Sequence, residues 1–292
     1  MIRWCWVVVV GCSAGWGCSS TGIWPFTPQR RPTSHEEVAS NPSYAPLSVG
    51  AARPLRSGET LRVVDLSFEV VRVELPADSV RDSRKIWNHV DELRIDSDVV
   101  ARLARNGLRV GAASSSAWPA IRTILEAGDA TIRKEQLYVE RGAPLTIELA
   151  AIQESESIFS YNRENRLVGK TYSGGRKLIN VDYMLHPELG GSTDIRLTWE
   201  IRQEREGMTW ERKEGVIQQT PAVDRQVFTD IEVVFSLNPG EFLVIGLSDQ
   251  ADNDYLLGSR FLMGERAGER FETVLCVTPQ AYQTQSVRRP PT

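Results

Sequence analysis

The sequence predicts an α+β fold: a small α/β module over residues 59–135, followed by a mainly antiparallel β-sandwich or half-barrel over residues 136–279. Three observations lead there. Apolar residues recur at helical spacing in the first stretch and alternate with a period of two from Thr131 onward. Gly, Pro, Asn and Asp punctuate the second stretch often enough to separate short strands, as at Asn238-Pro239-Gly240. The 292 residues, 41% hydrophobic and 25% charged, have ordinary globular composition and are ample for a real core.

Met1 to Ser20 reads MIRWCWVVVVGCSAGWGCSS. Arg3 supplies a short positive region, and Trp4–Val10 form a compact apolar run followed by small residues. That is the layout of a secretory signal over residues 1–18, and the run is too short to span a bilayer. Three of the four cysteines (Cys5, Cys12 and Cys18) fall here. A bacterial lipobox has an apolar residue, two smaller ones, and the Cys that becomes the lipidated N-terminus. Val9-Val10-Gly11-Cys12 fits that pattern with a short signal. Gly15-Trp16-Gly17-Cys18 gives a more usual length with a weaker apolar position. The expectation is an exported lipoprotein, acylated on Cys18 or Cys12 and held at the periplasmic side of a membrane, the outer membrane first. Several acyl chains on one Cys anchor firmly where a single chain does not. The plain alternative is a cleaved signal with incidental cysteines.

Residues 19–58 are rich in Pro, Ser and Arg, with Pro25, Pro28, Pro32, Pro42, Pro46 and Pro54 and no apolar periodicity. Such a stretch buries too little surface to offset its ordering entropy, so it reads as a disordered tether. Leu61–Leu75 is Val-rich and alternates, which predicts a strand. Asp78 or Ser79 can cap a helix over Val80–Glu92, with Ile86, Val90 and Leu93 as its apolar stripe. A second helix covers Ser97–Arg105, turning Val99, Val100 and Leu103 inward, and Asn106-Gly107 stops it. Leu108–Gly111 reads as a short strand. Ala117–Ala127 reads as a third helix with Pro119 in its first turn and Gly128 at its end. The later strands are Gln136–Glu140, Leu145–Ile152, Arg176–His186, Thr193–Arg202, Val227–Phe235, Phe242–Leu247 and Glu272–Val277, and no helix is expected among them. Residues 280–292 read as a disordered tail.

Four segments of the second half carry a family likeness. They are Ala222–Thr229 (AVDRQVFT), Asp230–Phe235, Asn238–Gly246 (NPGEFLVIG) and Glu272–Pro279 (ETVLCVTP). In that order they resemble the C-terminal β-domain of bacterial secretins, the outer-membrane ring proteins of type II and III secretion and type IV pilus systems. Gly174–Pro187 and Thr193–Ile201 are similar to the paired strands that precede those motifs. The likeness covers about 110 residues. It departs from the family at Leu247–Phe271, where secretins insert transmembrane hairpins and a gate. Roughly 25 residues at about 3.3 Å each cannot supply both, and Leu256–Leu262 is the one stretch resembling a remnant. The resemblance therefore implies a secretin-like fold without a working pore.

Chemistry-bearing constellations are sparse. The net charge of −4 and the even spread of 34 basic residues among 38 acidic ones argue against a nucleic-acid partner. Of three histidines, His35 lies in the tether and His186 precedes Pro187 at a strand end. His89 and Glu92 would sit one helical turn apart, as an acid–base pair or as a solvated helix face. Asp249, Asp252 and Asp254 could hold calcium, but they lack the Gly and distal Glu of an EF-hand loop, and a solvated loop accounts for them as well. Cys276, in an apolar run, reads as a small core residue. No catalytic set, metal centre or cofactor is expected. The leading expectation is a non-catalytic envelope protein that binds other envelope proteins or itself. An exported hydrolase or carbohydrate-binding sandwich using His89–Glu92 or the Asp249–Asp254 loop is the alternative.

Overall fold

Strand β1 (Leu61–Pro76) dictates the layering. Leu66, Phe68 and Val70 are buried on one of its faces, and Val71, Val73 and Leu75 on the other. A strand apolar on both faces has to be covered twice. The computed structural model describes residues 61–77, 84–139, 143–186, 191–213, 216–249, 251 and 253–287. Cys12, Cys18, the tether and the helix start at Asp78 or Ser79 lie outside them.

After β1 the chain forms helix α1 (Ser97–Arg105), β2 (Leu108–Ser114), α2 (Trp118–Ala127) and β3 (Thr131–Tyr138). Next come β4 (Leu145–Tyr161), β5 (Leu167–His186), β6 (Ser192–Lys213), β7 (Val216–Val227), β8 (Val233–Leu237) and β9 (Glu241–Leu247). It closes with α3 (Leu257–Leu262), β10 (Met263–Arg266) and β11 (Glu269–Val287). One antiparallel sheet runs β2-β9-β11-β1-β3, with β10 beside β11; the other runs β4-β5-β6-β7, with β8 beside β6. Leu66, Phe68, Leu243 and Leu275 of the first sheet share a core with Ile147, Ile179, Leu197, Trp199 and Phe235 of the second. On the first sheet's other face, Val73, Val244 and Cys276 pack with Ile86, Trp87, Ile121 and Leu125. That face is covered by α2 and by the turn at Trp87–His89.

Several local signals act as the sequence predicts. Asp96 caps α1 by accepting hydrogen bonds from the N–H groups of Asp98 and Val99. Gly107 follows in the left-handed region at φ 77°, where a side chain would be strained. α2 has its proline in the first turn and ends at Gly128. Leu103 is buried in the shared core, and Cys276 is a buried free thiol.

Other expectations are corrected. The helix assigned to Val80–Glu92 has ended by Val90, which is extended, and Asp91 pairs with Ala112 of β2. Leu93, placed on that helix's apolar stripe, is therefore 96% exposed. The boundary at residue 135/136 does not separate two folded bodies, because β1 lies between β3 and β11 and β2 pairs with β9. The tail assigned to residues 280–292 begins instead as the end of β11, pairing with β1 as far as Leu61 opposite Val287. β4, β5 and β6 run well past the predicted strands; Gly174 and Gly175, at φ 80° and 117°, stay within β5, where Gly174 faces a bulge of β4 at Gln153 and Glu154. The second half also contains one short helix, α3.

Candidate functional site

Of the acidic residues singled out from sequence, Glu92, Asp249 and Asp254 lie around Ser248, at the end of β9. Two clefts of about 290 and 250 Å³ flank this point. Glu92, Leu103, Leu108 and Arg109 line the first. Arg84, Asp254, Arg270 and Glu272 line the second, and Ser248 and Asp249 belong to both. Glu92 arrives there because the chain straightens at Val90 and Asp91 exchanges backbone hydrogen bonds of 2.7 and 3.0 Å with Ala112.

Each described acid of the predicted sites has an arginine partner. Arg109 donates through Nε to Glu92 Oε1 at 3.1 Å and through Nη2 to Oε2. Its guanidinium also lies 4.3 Å above the Trp87 ring. Arg84 meets Asp249 at 2.9 Å, and Arg270 meets Asp254 at 2.6 Å. Asp252 lies outside the described residues. His89 stays exposed in the turn, while Glu92 is committed to Arg109, so the fold does not form the helical pair the sequence suggested. Ser248 Oγ donates to the Ala104 carbonyl at 2.8 Å. A carboxylate already matched by a guanidinium has little charge left for a cation. Among the described residues, no three His, Cys, Asp or Glu side chains converge on a metal site. Burial pushes the Cys276 thiol up to about 12, so it is not a thiolate at neutral pH.

Sequence reasoning missed a second cluster, on the outer face of the second sheet. Glu200 of β6 is fully buried there. Its Oε1 accepts from Arg202 Nε at 2.8 Å and Arg225 Nε at 2.9 Å. Its Oε2 accepts from Arg225 Nη2 and Asn180 Nδ2, both at 2.7 Å. Thr146 Oγ1 donates in turn to Asn180 Oδ1 at 2.9 Å. Burial opposes ionisation of Glu200, but the hydrogen bonds and charges of Arg225 and Arg202 outweigh it and hold its carboxyl below the usual range. Burial raises the nearby Asp182 carboxyl despite Arg196 and Arg225. The strand signal was present in the alternation of Ile195, Leu197, Trp199 and Ile201 with Arg196, Thr198, Glu200 and Arg202. Nothing local announced that Arg225, from β7, would close over the acid.

A Ser, a His and an Asp also meet, at the far end of this sheet. His186 Nε2 lies 2.8 Å from Asp194 Oδ2, and Ser236 Oγ donates to Asp194 Oδ1 at 2.5 Å. The Ser236 hydrogen bond, together with His186, holds the Asp194 carboxyl below its usual range, against its partial burial. The carboxylate sits between the other two groups, whereas a relay needs the imidazole in the middle. The arrangement fastens the end of β5 and the start of β6 to β8.

Comparison of the chain with protein-family models, with curated proteins and with solved structures found no match.

Proposed function

We propose that the chain is a non-catalytic, exported lipoprotein of the bacterial cell envelope, a structural or protein-interaction component related to secretion or pilus assemblies. The observation that carries this reading is the N-terminal order of Arg3, the Trp4–Val10 run, and a lipobox-like approach to Cys12 or Cys18. The Pro-rich residues 19–58 fit a tether between that anchor and the body. The secretin-like motifs supply the second support. They fall on β7, the turn after it, β8, β9 and β11, in a body read here as a β-sandwich. Between β9 and β11 the chain has α3 and β10 where secretins have a gate. Among the described residues, no helix is long and apolar enough to cross a membrane. On this reading the lipid is the anchor, and the partners are other envelope proteins or further copies of the chain.

The test is mass spectrometry of the N-terminal peptide of protein recovered from envelope fractions. The expected species begins at an acylated Cys18 or Cys12. An unmodified N-terminus starting downstream of Cys18 overturns the lipoprotein reading.

A further inference from the structure

Past Arg202, β6 loses β5 as a neighbour and pairs with β7 alone. Between Glu204 and Val223 no residue whose side chain is described is buried, and this part of the hairpin is a two-stranded ribbon. Such a ribbon is only marginally stable in water unless something backs it.

Its two faces differ in character. Met208 lies opposite Pro221, Trp210 opposite Gln219, Arg212 opposite Ile217 and Glu204 opposite Val223, so these residues share one face. Trp210 is 69% exposed, Ile217 60%, Met208 54% and Val223 41%. The other face carries Thr209, Thr220, and Arg205 paired to Asp224 at 2.6 Å. An apolar stripe concentrated on one side of a ribbon marks a contact surface.

We infer that this stripe is a self-association surface, on which the ribbons of two copies stack face to face about a two-fold axis. The reach of the contact sets its strength. The four side chains leave on the order of 400 Å² of apolar area open per copy. Two facing copies thus hide roughly 800 Å², the size of a weak, reversible contact rather than an obligate one. A two-fold pairing needs only one self-complementary patch, and a flat sheet face stacks on its own copy at about 10 Å. A bilayer fits less well. Residues 211–215, the last of β6 and the two that follow it, read Glu-Arg-Lys-Glu-Gly and would lead any insertion with charge.

The inference rests on the reading of the chain as an interaction protein, and its test is independent of the N-terminal lipid. Sedimentation and light scattering of the full chain in detergent are expected to show a monomer–dimer equilibrium. Trp210→Glu should weaken it about thirtyfold or more, as a central aromatic contact does. Ile217→Glu should act in the same direction, and Tyr138→Glu, on exposed β3, should leave the equilibrium unchanged. Circular dichroism of each variant checks that the fold is intact. A monomer at all concentrations, or a dimer indifferent to both ribbon variants, overturns the proposal. Trp210-dependent binding of a monomer to phosphatidylglycerol-containing vesicles would assign the stripe to a bilayer instead.

Discussion

Glu200 shows most clearly how single residues behave in this protein. A carboxylate at the centre of a sheet is costly unless its lone pairs are filled, and here four donor atoms fill them. Because its folded pKa is depressed, its stabilising contribution is complete above the ordinary carboxylate pKa. That contribution is lost as pH falls through the lower, folded value. Glu200→Gln should therefore destabilise the protein by about 1–3 kcal/mol at pH 7, allowing for the part-exposed arginines. Urea unfolding at pH 7 and at pH 3 checks this, with the gap between wild type and variant narrowing at pH 3. An equal gap at both values would mean that the acid is not ionised in the network. The predicted sites show the converse. His89 and Glu92 were legible as residues but not as a pair, since the spacing argument held only while the helix continued.

At the scale of elements, the segment from Ser248 to Leu262 is the least expected feature. Its described residues hold to the body through the buried side chains of Leu257, Phe261 and Leu262 and through single hydrogen bonds rather than a strand ladder. Phe159 N–H donates to the Tyr255 carbonyl at 2.8 Å, and Gly258 N–H donates to the Asn106 carbonyl at 2.8 Å. Lys177, itself buried, donates to the Arg260 carbonyl at 2.6 Å and to Glu156 at 2.7 Å. Burial lowers the Lys177 pKa, against the pull of Glu156. Asn106 reaches the end of β4 as well, donating to the Tyr161 carbonyl and accepting from the Tyr161 N–H. The sequence marked Asn106 only as a helix stop. Gly258 has no room for a side chain, since a Cβ would meet the backbone of Gly107 and Asn106. Gly258→Ala should cost about 1–3 kcal/mol by forcing this segment off the body. Differential scanning calorimetry should record a drop of a few degrees, and an unchanged melting temperature would mean that the backbone there yields freely.

Over the whole molecule, the governing fact is that the first and last described strands share one sheet. β1 is completed by β11 on one side and β3 on the other, and β2 is completed by β9. A fragment covering residues 59–135 leaves β1 without β11 and β2 without β9. A fragment covering residues 136–279 lacks β1, which β11 pairs with along most of its length. Each should fail to unfold cooperatively when expressed alone, and the two together should recover a cooperative transition. Circular dichroism melts of the separate and mixed fragments measure this. A cooperative melt from either fragment alone would restore the two-body division that the change of period suggested.

By itself the sequence determined the local pieces. Asp96 and Gly107 bound α1, Pro119 and Gly128 bound α2, and alternation placed parts of most strands, because caps, turn residues and side-chain period act over a few neighbours. Tertiary structure alone decided which strands pair, where Glu92 and Glu200 find their arginines, and that β5 runs on through Gly174 and Gly175 opposite a bulge in β4. Those outcomes depend on contacts between residues far apart in the chain, and no local pattern encodes the partner at the other end.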